Sequence, residues 1–299
     1  MMTRRQFVAA TTTAAALTVV PSQLRAVEPT RPRWPIIGFT KPFQNLSFDA
    51  AADTVAEIGW DGIECPVRPK GQIEPERAAE DLPRLAEALK RHGRVIAQLA
   101  TNITSVAQPN TERVLRTAAA LGIKRYRLGE WRYDLQKPIA DQLANVTVQL
   151  RDLAALNREL GLQAGFQNHS GLRYVGGPVW DLWTAMQGLD ARQMGICFDI
   201  GHATVEGGTV WPVNARLMRD RLTAVIVKDF IWQRTAKGWE PQWVGLGDGM
   251  INREFFRWLR TTTYAGPIIQ HHEYDHGKGA PMIARMQQDL KVLREWLAA

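Results

Sequence analysis

Four of the six histidines in the chain stand in short polar clusters with carboxylates and amides: Gln167-Asn168-His169, Asp199-Ile200-Gly201-His202 and His271-His272-Glu273. Glu64, Arg127 and Lys228-Asp229 add polar side chains at the ends of other apolar runs. Carboxylates and imidazoles brought together can remove and return protons. Lys228 follows Ile226 by two residues, so strand alternation puts both on one face, toward an interior. A lysine buried there would stabilise a developing enolate oxygen or orient Asp199 or Glu273.

For these clusters to meet, widely separated segments must end on one side of a fold. From Pro35 onward, apolar strand-like runs alternate with segments of helical period, which indicates an α/β chain with a parallel sheet. Strands are expected over Ile36 to Thr40, Gly62 to Cys65, Val95 to Ala100, Arg125 to Leu128, Leu162 to Asn168, Gly195 to Ile200, Leu222 to Val227 and Pro267 to His272. Phe48 to Ile58 repeats Ala51, Ala52, Val55 and Ile58 at helical spacing, and Ile139 to Leu160 forms a longer helix. Gly59, Gly93, Gly122 and Gly161 stand where left-handed helix caps are wanted.

Eight such units in roughly 270 residues match a single (β/α)8 TIM barrel better than an open doubly wound sheet. The polar clusters then fall at the C-terminal ends of the strands, where barrels of this kind place their sites. Trp211 to Met218 has the weakest helical pattern. Phe230 to Gly249, rich in Trp and Gly, reads as a long loop between the seventh strand and its helix. Within it, Gly245-Leu246-Gly247-Asp248-Gly249 is a turn into a helix from Arg253 rather than a phosphate loop.

The chain resembles the xylose-isomerase-like TIM barrels, which include sugar isomerases, sugar 3-epimerases, inosose dehydratase-like lyases and endonuclease IV. The resemblance runs from Trp34 to the C-terminus. It is carried by Gly59-Trp60-Asp61-Gly62-Ile63-Glu64, Asn168-His169-Ser170-Gly171, Phe198-Asp199-Ile200-Gly201-His202-Ala203, Val227-Lys228-Asp229, the glycine-rich stretch at Gly245, and Tyr264-Ala265-Gly266-Pro267 leading to Glu273. It implies a divalent metal, Mn, Mg or Zn, held by a Glu after strand five, an Asp after strand six, a His on strand seven and a Glu on strand eight. Such an ion polarises adjacent oxygens of a hydroxy-ketone sugar so that a carboxylate can remove the neighbouring proton.

Carried over by position, the strand-six Asp is Asp199 and the strand-eight Glu is Glu273. The other two positions depart from the pattern, being Gln167 and Ile226. Gln167 keeps an oxygen that can ligate, but its amide cannot accept and return a proton. Ile226 cannot ligate, so a metal would need His202, His169 or His271 as its nitrogen donor.

The expectation is a carbohydrate isomerase or epimerase acting through an enol or enolate on a non-phosphorylated sugar or keto-sugar, assisted by a divalent metal. Glu273, Glu64, Lys228 and His202 are the expected catalytic groups, and His169, Arg127, Asp229 and His271 the expected sugar contacts. Asp199, Glu273, Gln167 and His202 are the expected metal ligands. Loss of the strand-five Glu favours one-base isomerisation or β-elimination over two-base epimerisation. A keto-sugar lyase or dehydratase, or a sugar-binding barrel without turnover, are the alternatives.

Structural roles stand beside these chemical ones. Asp199 could cap the following turn, His202 could bond a carbonyl in the core, and Glu64 could pair with Arg127. His272, opposite His271 and Glu273 along its strand, faces the helix layer. Trp211, Trp232, Trp239 and Trp243 suit stacking on sugar rings or packing of a long loop or dimer contact.

At 299 residues, 45% hydrophobic and 22% charged, the chain has a globular composition, which excludes disorder over most of its length. Its net charge of +7 includes Arg4, Arg5 and Arg25, which precede the first acidic residue, Glu28. With no run of five or six basic residues, a nucleic-acid partner is not expected. The three-zinc site of an endonuclease IV-type nuclease also needs more His and acidic ligands than the chain supplies.

Thr3-Arg4-Arg5-Gln6-Phe7-Val8, then an apolar run from Ala9 to Val20 and Pro21, has the layout of a twin-arginine export signal. Residues 1–26 are therefore expected to be a signal peptide and 27–299 a periplasmic or secreted barrel. Its expected partner is a small-molecule sugar, with no membrane contact in the mature form and a homo-oligomer left open. Cys65 and Cys197 lie in apolar runs and read as small core residues rather than a disulfide.

Overall fold

A computed structural model of the chain describes residues 34–299. The expected twin-arginine segment lies outside the described residues. The strands are β1 (Ile36–Phe39), β2 (Gly62–Val67), β3 (Val95–Thr101), β4 (Arg125–Arg127), β5 (Gln163–Gln167), β6 (Met194–Asp199), β7 (Leu222–Val227), β8 (Asp229–Thr235), β9 (Gly238–Val244) and β10 (Ile268–Gln270). Between and after them run α1 (Phe48–Ile58), α2 (Ala78–Lys90), α3 (Thr111–Ala120), α4 (Ile139–Leu160), α5 (Val179–Ala185), α6 (Ile200–Gly207), α7 (Trp211–Leu217), α8 (Glu254–Leu259) and α9 (Ala280–Ala298).

Eight strands close into a parallel barrel in the order β1-β10-β7-β6-β5-β4-β3-β2, which makes the domain a single (β/α)8 barrel of the α/β class. Closure is made by β10, whose Ile268, Ile269 and Gln270 pair with Ile36, Ile37 and Gly38 on one side and Val225, Ile226 and Val227 on the other. Helix α1 starts at Ser47, whose side chain accepts the N–H of Ala50, and ends at Gly59 in the left-handed conformation. Gly93, Gly122 and Gly161 also have positive φ, as their places after helical segments required. The Trp211 to Met218 pattern does form a helix, α7, with Pro212 in its first turn.

The stretch expected to be a long loop is instead a β-hairpin. Strands β8 and β9 pair antiparallel from Asp229 opposite Val244 to Thr235 opposite Gly238, across a two-residue turn. Gly238, at φ 111°, supplies the positive angle that a tight turn needs. The ribbon stands outside the barrel with much of it exposed, so it lacks the apolar alternation that marks a half-buried strand.

Apolar packing forms two layers. Ile37, Phe39, Ala100, Cys197, Ala224, Ile226 and Ile269 fill the barrel interior, and a larger cluster including Val55, Leu82, Leu150, Phe255 and Leu293 lies between sheet and helices. Cys65 and Cys197 are both buried free thiols, one in each layer. Burial pushes the Cys197 thiol up to about 12, so it stays protonated and packs as a small apolar group. Because β7 alternates, Ala224 and Ile226 fill the interior and Lys228 continues the same face at the strand's end.

Candidate active site

The C-terminal ends of the strands open into a cavity of about 670 Å³ whose lining includes Phe39, Lys41, Arg68, Arg127, Glu130, Gln167, His169, Tyr174, Trp243, His271 and Glu273. A second cavity of about 700 Å³ lies to the side, lined by Trp211, Trp232 and Trp258 among others. None of the polar clusters lines that second cavity, so the barrel mouth is the chemically equipped one.

Under the mouth sits Lys228, 3% exposed. Its Nζ donates to His202 Nε2 at 2.7 Å and to Glu273 Oε2 at 2.9 Å, with Asp199 Oδ2 at 3.5 Å. The Trp243 ring, from β9, lies over the ammonium at 4.3 Å to the centroid. An ammonium has no lone pair, so His202 accepts at Nε2 and its proton is on Nδ1, which donates to Ser170 Oγ at 2.6 Å. Burial, reinforced by the charge of Lys228, holds the His202 pKa well below its ordinary value and keeps the ring neutral.

Asp199 does act as a cap. Its Oδ1 accepts the N–H of His202 at the start of α6, while its Oδ2 accepts from Gln167 Nε2 at 2.8 Å. The cap and the ion pair coexist because they use different oxygens of the buried carboxylate, Oδ1 toward α6 and Oδ2 toward Lys228. Gly201 is obligatory here, since a Cβ would come within 2.8 Å of the Lys228 carbonyl oxygen.

A second network surrounds Glu64, which is fully buried. Its Oε1 accepts from Arg127 Nε at 2.8 Å and Gln98 Nε2 at 2.9 Å, and its Oε2 accepts from His271 Nε2 at 2.9 Å. Burial alone would raise its pKa, but Arg127 and His271 hold it well below the usual carboxylate range. With both oxygens engaged, Glu64 is a structural anion paired to Arg127, and the expectation of a catalytic base at this position is corrected. The bond to Glu64 fixes the His271 tautomer, leaving Nδ1 a buried lone pair with no partner among the described residues. Burial lowers the His271 pKa, and the neutral ring lines the cavity as an acceptor for a hydroxyl.

Gln167 joins the two networks. Its Oε1 accepts from Arg127 Nη1 at 2.6 Å while its Nε2 donates to Asp199. His169 stacks between Tyr174 and His202, and its Nδ1–H donates to the Ser170 carbonyl at 2.8 Å, which leaves Nε2 as a lone pair. Burial and then the Lys228 charge lower its pKa. Of the three carboxylates in these networks, Asp199, Glu64 and Glu273, the last is the most approachable, with a 25% exposed side chain. Burial would raise its pKa, but the Lys228 ammonium beside it brings it down to about 2.

Asp229 is not brought to the cavity. Strand alternation turns it away from Lys228, and its carboxylate accepts the N–H groups of Phe230, Gly247, Gly249 and Ile251. The expected sugar contact is therefore corrected to an anchor for the glycine-rich turn. His272 faces the helix layer, 3.3 Å from Asp289 on α9. Of the four loop tryptophans, Trp243 alone lines the mouth. Sequence reasoning missed Ser170, Gln98, Tyr174 and Arg68. Ser170 lay inside a quoted motif without a role, and Gln98 sits in a run read as apolar.

The expected metal ligands do not fit a divalent ion. Gln167 has committed its oxygen to Arg127, His202 has committed Nε2 to Lys228, and Ile226 is sealed in the interior. Asp199 and Glu273 already share an ammonium. Among the described residues, no group of three or more His, Cys, Asp or Glu is arranged to hold a metal.

Residues 52–296 match the family described as xylose isomerase-like TIM barrel. Similar solved structures include the apo 3-keto-D-glucoside 4-epimerase of E. coli, 16% identical over 88% of this chain and 100% of that one, with a TM-score of 0.68. The probable 3-DHS dehydratase of petrobactin synthesis from Bacillus anthracis is 14% identical over 87% and 98%, with a TM-score of 0.67. A xylose isomerase-like TIM barrel protein of Mycobacterium smegmatis in complex with magnesium is 16% identical over 88% and 98%, with a TM-score of 0.65. A search of curated proteins finds no match.

Proposed function

The chain belongs to the xylose isomerase-like TIM barrel family, and from that premise we propose that it converts a non-phosphorylated sugar or keto-sugar through an enolate. The observation that carries this reading is the Lys228–Glu273 pair at the barrel mouth, an ammonium and a carboxylate in hydrogen-bond contact beside a cavity of sugar size. Members of the fold that resemble the chain are a keto-glucoside epimerase and a probable dehydratase.

In the proposed reaction Glu273 removes the proton beside the substrate carbonyl. A carboxylate with a pKa of about 2 is fully ionised at neutral pH but is a weak base while Lys228 holds it. As the proton arrives, the carboxylate loses its charge and the ammonium turns toward the enolate oxygen, where negative charge now develops. His271 Nδ1 and His169 Nε2 accept sugar hydroxyls, and Arg68, half-buried over the Phe39 ring, borders the same cavity. His169, neutral with a free lone pair, is also the second proton acceptor that an epimerisation would require once Gln167 is excluded.

The export reading is likewise proposed: the Arg4-Arg5 pattern sends the folded barrel to the periplasm or outside the cell. Incubation with a panel of non-phosphorylated aldoses, ketoses and keto-glycosides in D2O tests the reaction. Exchange at a carbon beside the carbonyl supports it. Inversion, carbonyl transposition or loss of water then assigns epimerase, isomerase or dehydratase. No exchange with any of them favours the sugar-binding barrel.

A further inference from the structure

We propose that the ammonium of Lys228 is the resident cation of this site and stands in place of a divalent ion. Its catalytic consequence rests on the enolate reading above, whereas its consequence for metal binding does not.

The Lys228 side chain is almost wholly buried, which is tolerable for a charge only where it is paired. Its Nζ makes hydrogen bonds to two buried or half-buried acceptors, His202 Nε2 at 2.7 Å and Glu273 Oε2 at 2.9 Å, and forms an ion pair with Asp199 Oδ2 at 3.5 Å. Trp243 covers it with the electron-rich face of an indole. The surroundings are prepared for a monovalent cation. The His202 tautomer that presents a lone pair to the ammonium places its Nδ1–H on Ser170 Oγ, which accepts it. Ile226, in the inward position below Lys228, offers no donor.

A divalent ion using Asp199 and Glu273 would lie within a few ångströms of Nζ and be repelled by it. A second fixed cation adds to this exclusion: Arg127 occupies the Gln167 oxygen at 2.6 Å. With two hydrogen bonds made and Asp199 only in ion-pair contact, the third N–H is the one available to a substrate oxygen. Lys228 then supplies as an N–H donor the electrostatic stabilisation a Lewis acid would otherwise provide. Ser170 acts through His202 and is a positioning residue.

The test is a Mn²⁺ titration of the full chain, read by the electron paramagnetic resonance of free Mn²⁺ and by thermal unfolding. Wild type is expected to leave Mn²⁺ free and to show no rise in Tm. The triple variant Lys228→Met, Gln167→Glu, Ile226→His is expected to bind one Mn²⁺ per chain with a rise in Tm. Should the triple variant fail to fold, Lys228→Ala alone, with Asp199 and Glu273 released, is expected to gain Tm on Mn²⁺ addition where wild type does not. Wild type that binds stoichiometric Mn²⁺, lost on Asp199→Ala, overturns the proposal. Folded variants that bind no more Mn²⁺ than wild type overturn it too. Absence of sugar turnover with no Mn²⁺ bound to wild type refutes the enolate reading and leaves the cation assignment standing.

Discussion

The Nζ of Lys228 lies 2.9 Å from Oε2 of Glu273, although the two residues are 45 apart in the chain. Barrel closure makes the contact, because β10 pairs with β7 and brings the residues that follow each strand to one rim. In the proposed reaction Glu273 is neutralised by the substrate proton while Lys228 keeps its charge and turns to the enolate oxygen. The ammonium that lowers the Glu273 pKa at rest is, on that proposal, released once Glu273 is protonated.

The Glu64–Arg127 ion pair is a buried structural element, and breaking it is expected to be costly. Arg127→Met leaves Glu64 and the Gln167 oxygen without their guanidinium and should lower stability by about 3–5 kcal/mol. Replacing both partners, as in Arg127→Met with Glu64→Gln, should restore much of that loss. Urea unfolding at neutral pH measures both, and a single variant within 1 kcal/mol of wild type, roughly the scale of an exposed pair, contradicts the assignment.

Acid should destabilise the barrel through the same carboxylates. Glu64 and Glu273 titrate below the ordinary value of 4.5 in the folded chain, so their stabilisation is complete above that value. It is lost as pH falls toward about 2 for Glu273 and lower still for Glu64. The urea midpoint should therefore drop steeply below pH 4.5, and a midpoint unchanged down to pH 3, roughly midway through that window, would remove the basis for both pairings.

Asp229→Ala should loosen the turn at residues 245–251 without touching the cavity. Four backbone N–H groups lose their acceptor, with an expected cost of about 1–3 kcal/mol because the turn can reach water. Hydrogen exchange should show lost protection at Gly247, Gly249 and Ile251. A variant with full protection and a raised KM for sugar would instead restore the substrate role expected for Asp229.

The barrel was legible in the sequence because eight buried strands carry apolar runs and glycine caps mark the helix ends. Phe48–Ile58 and Ile139–Leu160 were found at their observed limits for that reason. The hairpin Asp229–Val244 was not, since only its base is buried and the exposed remainder imposes no alternation. At the site, inward-facing alternation correctly put Lys228 with Ile226. What spacing could not show was pairing: that Arg127 takes both Glu64 and Gln167, that His202 bridges Lys228 and Ser170, or that Asp229 serves a turn. Those contacts join segments from different strands, and sequence spacing contains no distance between them.

Solvent deuterium exchange into a keto-sugar, followed by proton NMR for wild type and Glu273→Gln side by side, tests whether Glu273 is the base. Wild type should exchange the proton beside the carbonyl, and Glu273→Gln should lose that exchange by about 10²–10⁴-fold while keeping its fold and its sugar affinity. Exchange that continues at the wild-type rate in Glu273→Gln would rule out Glu273 as the base.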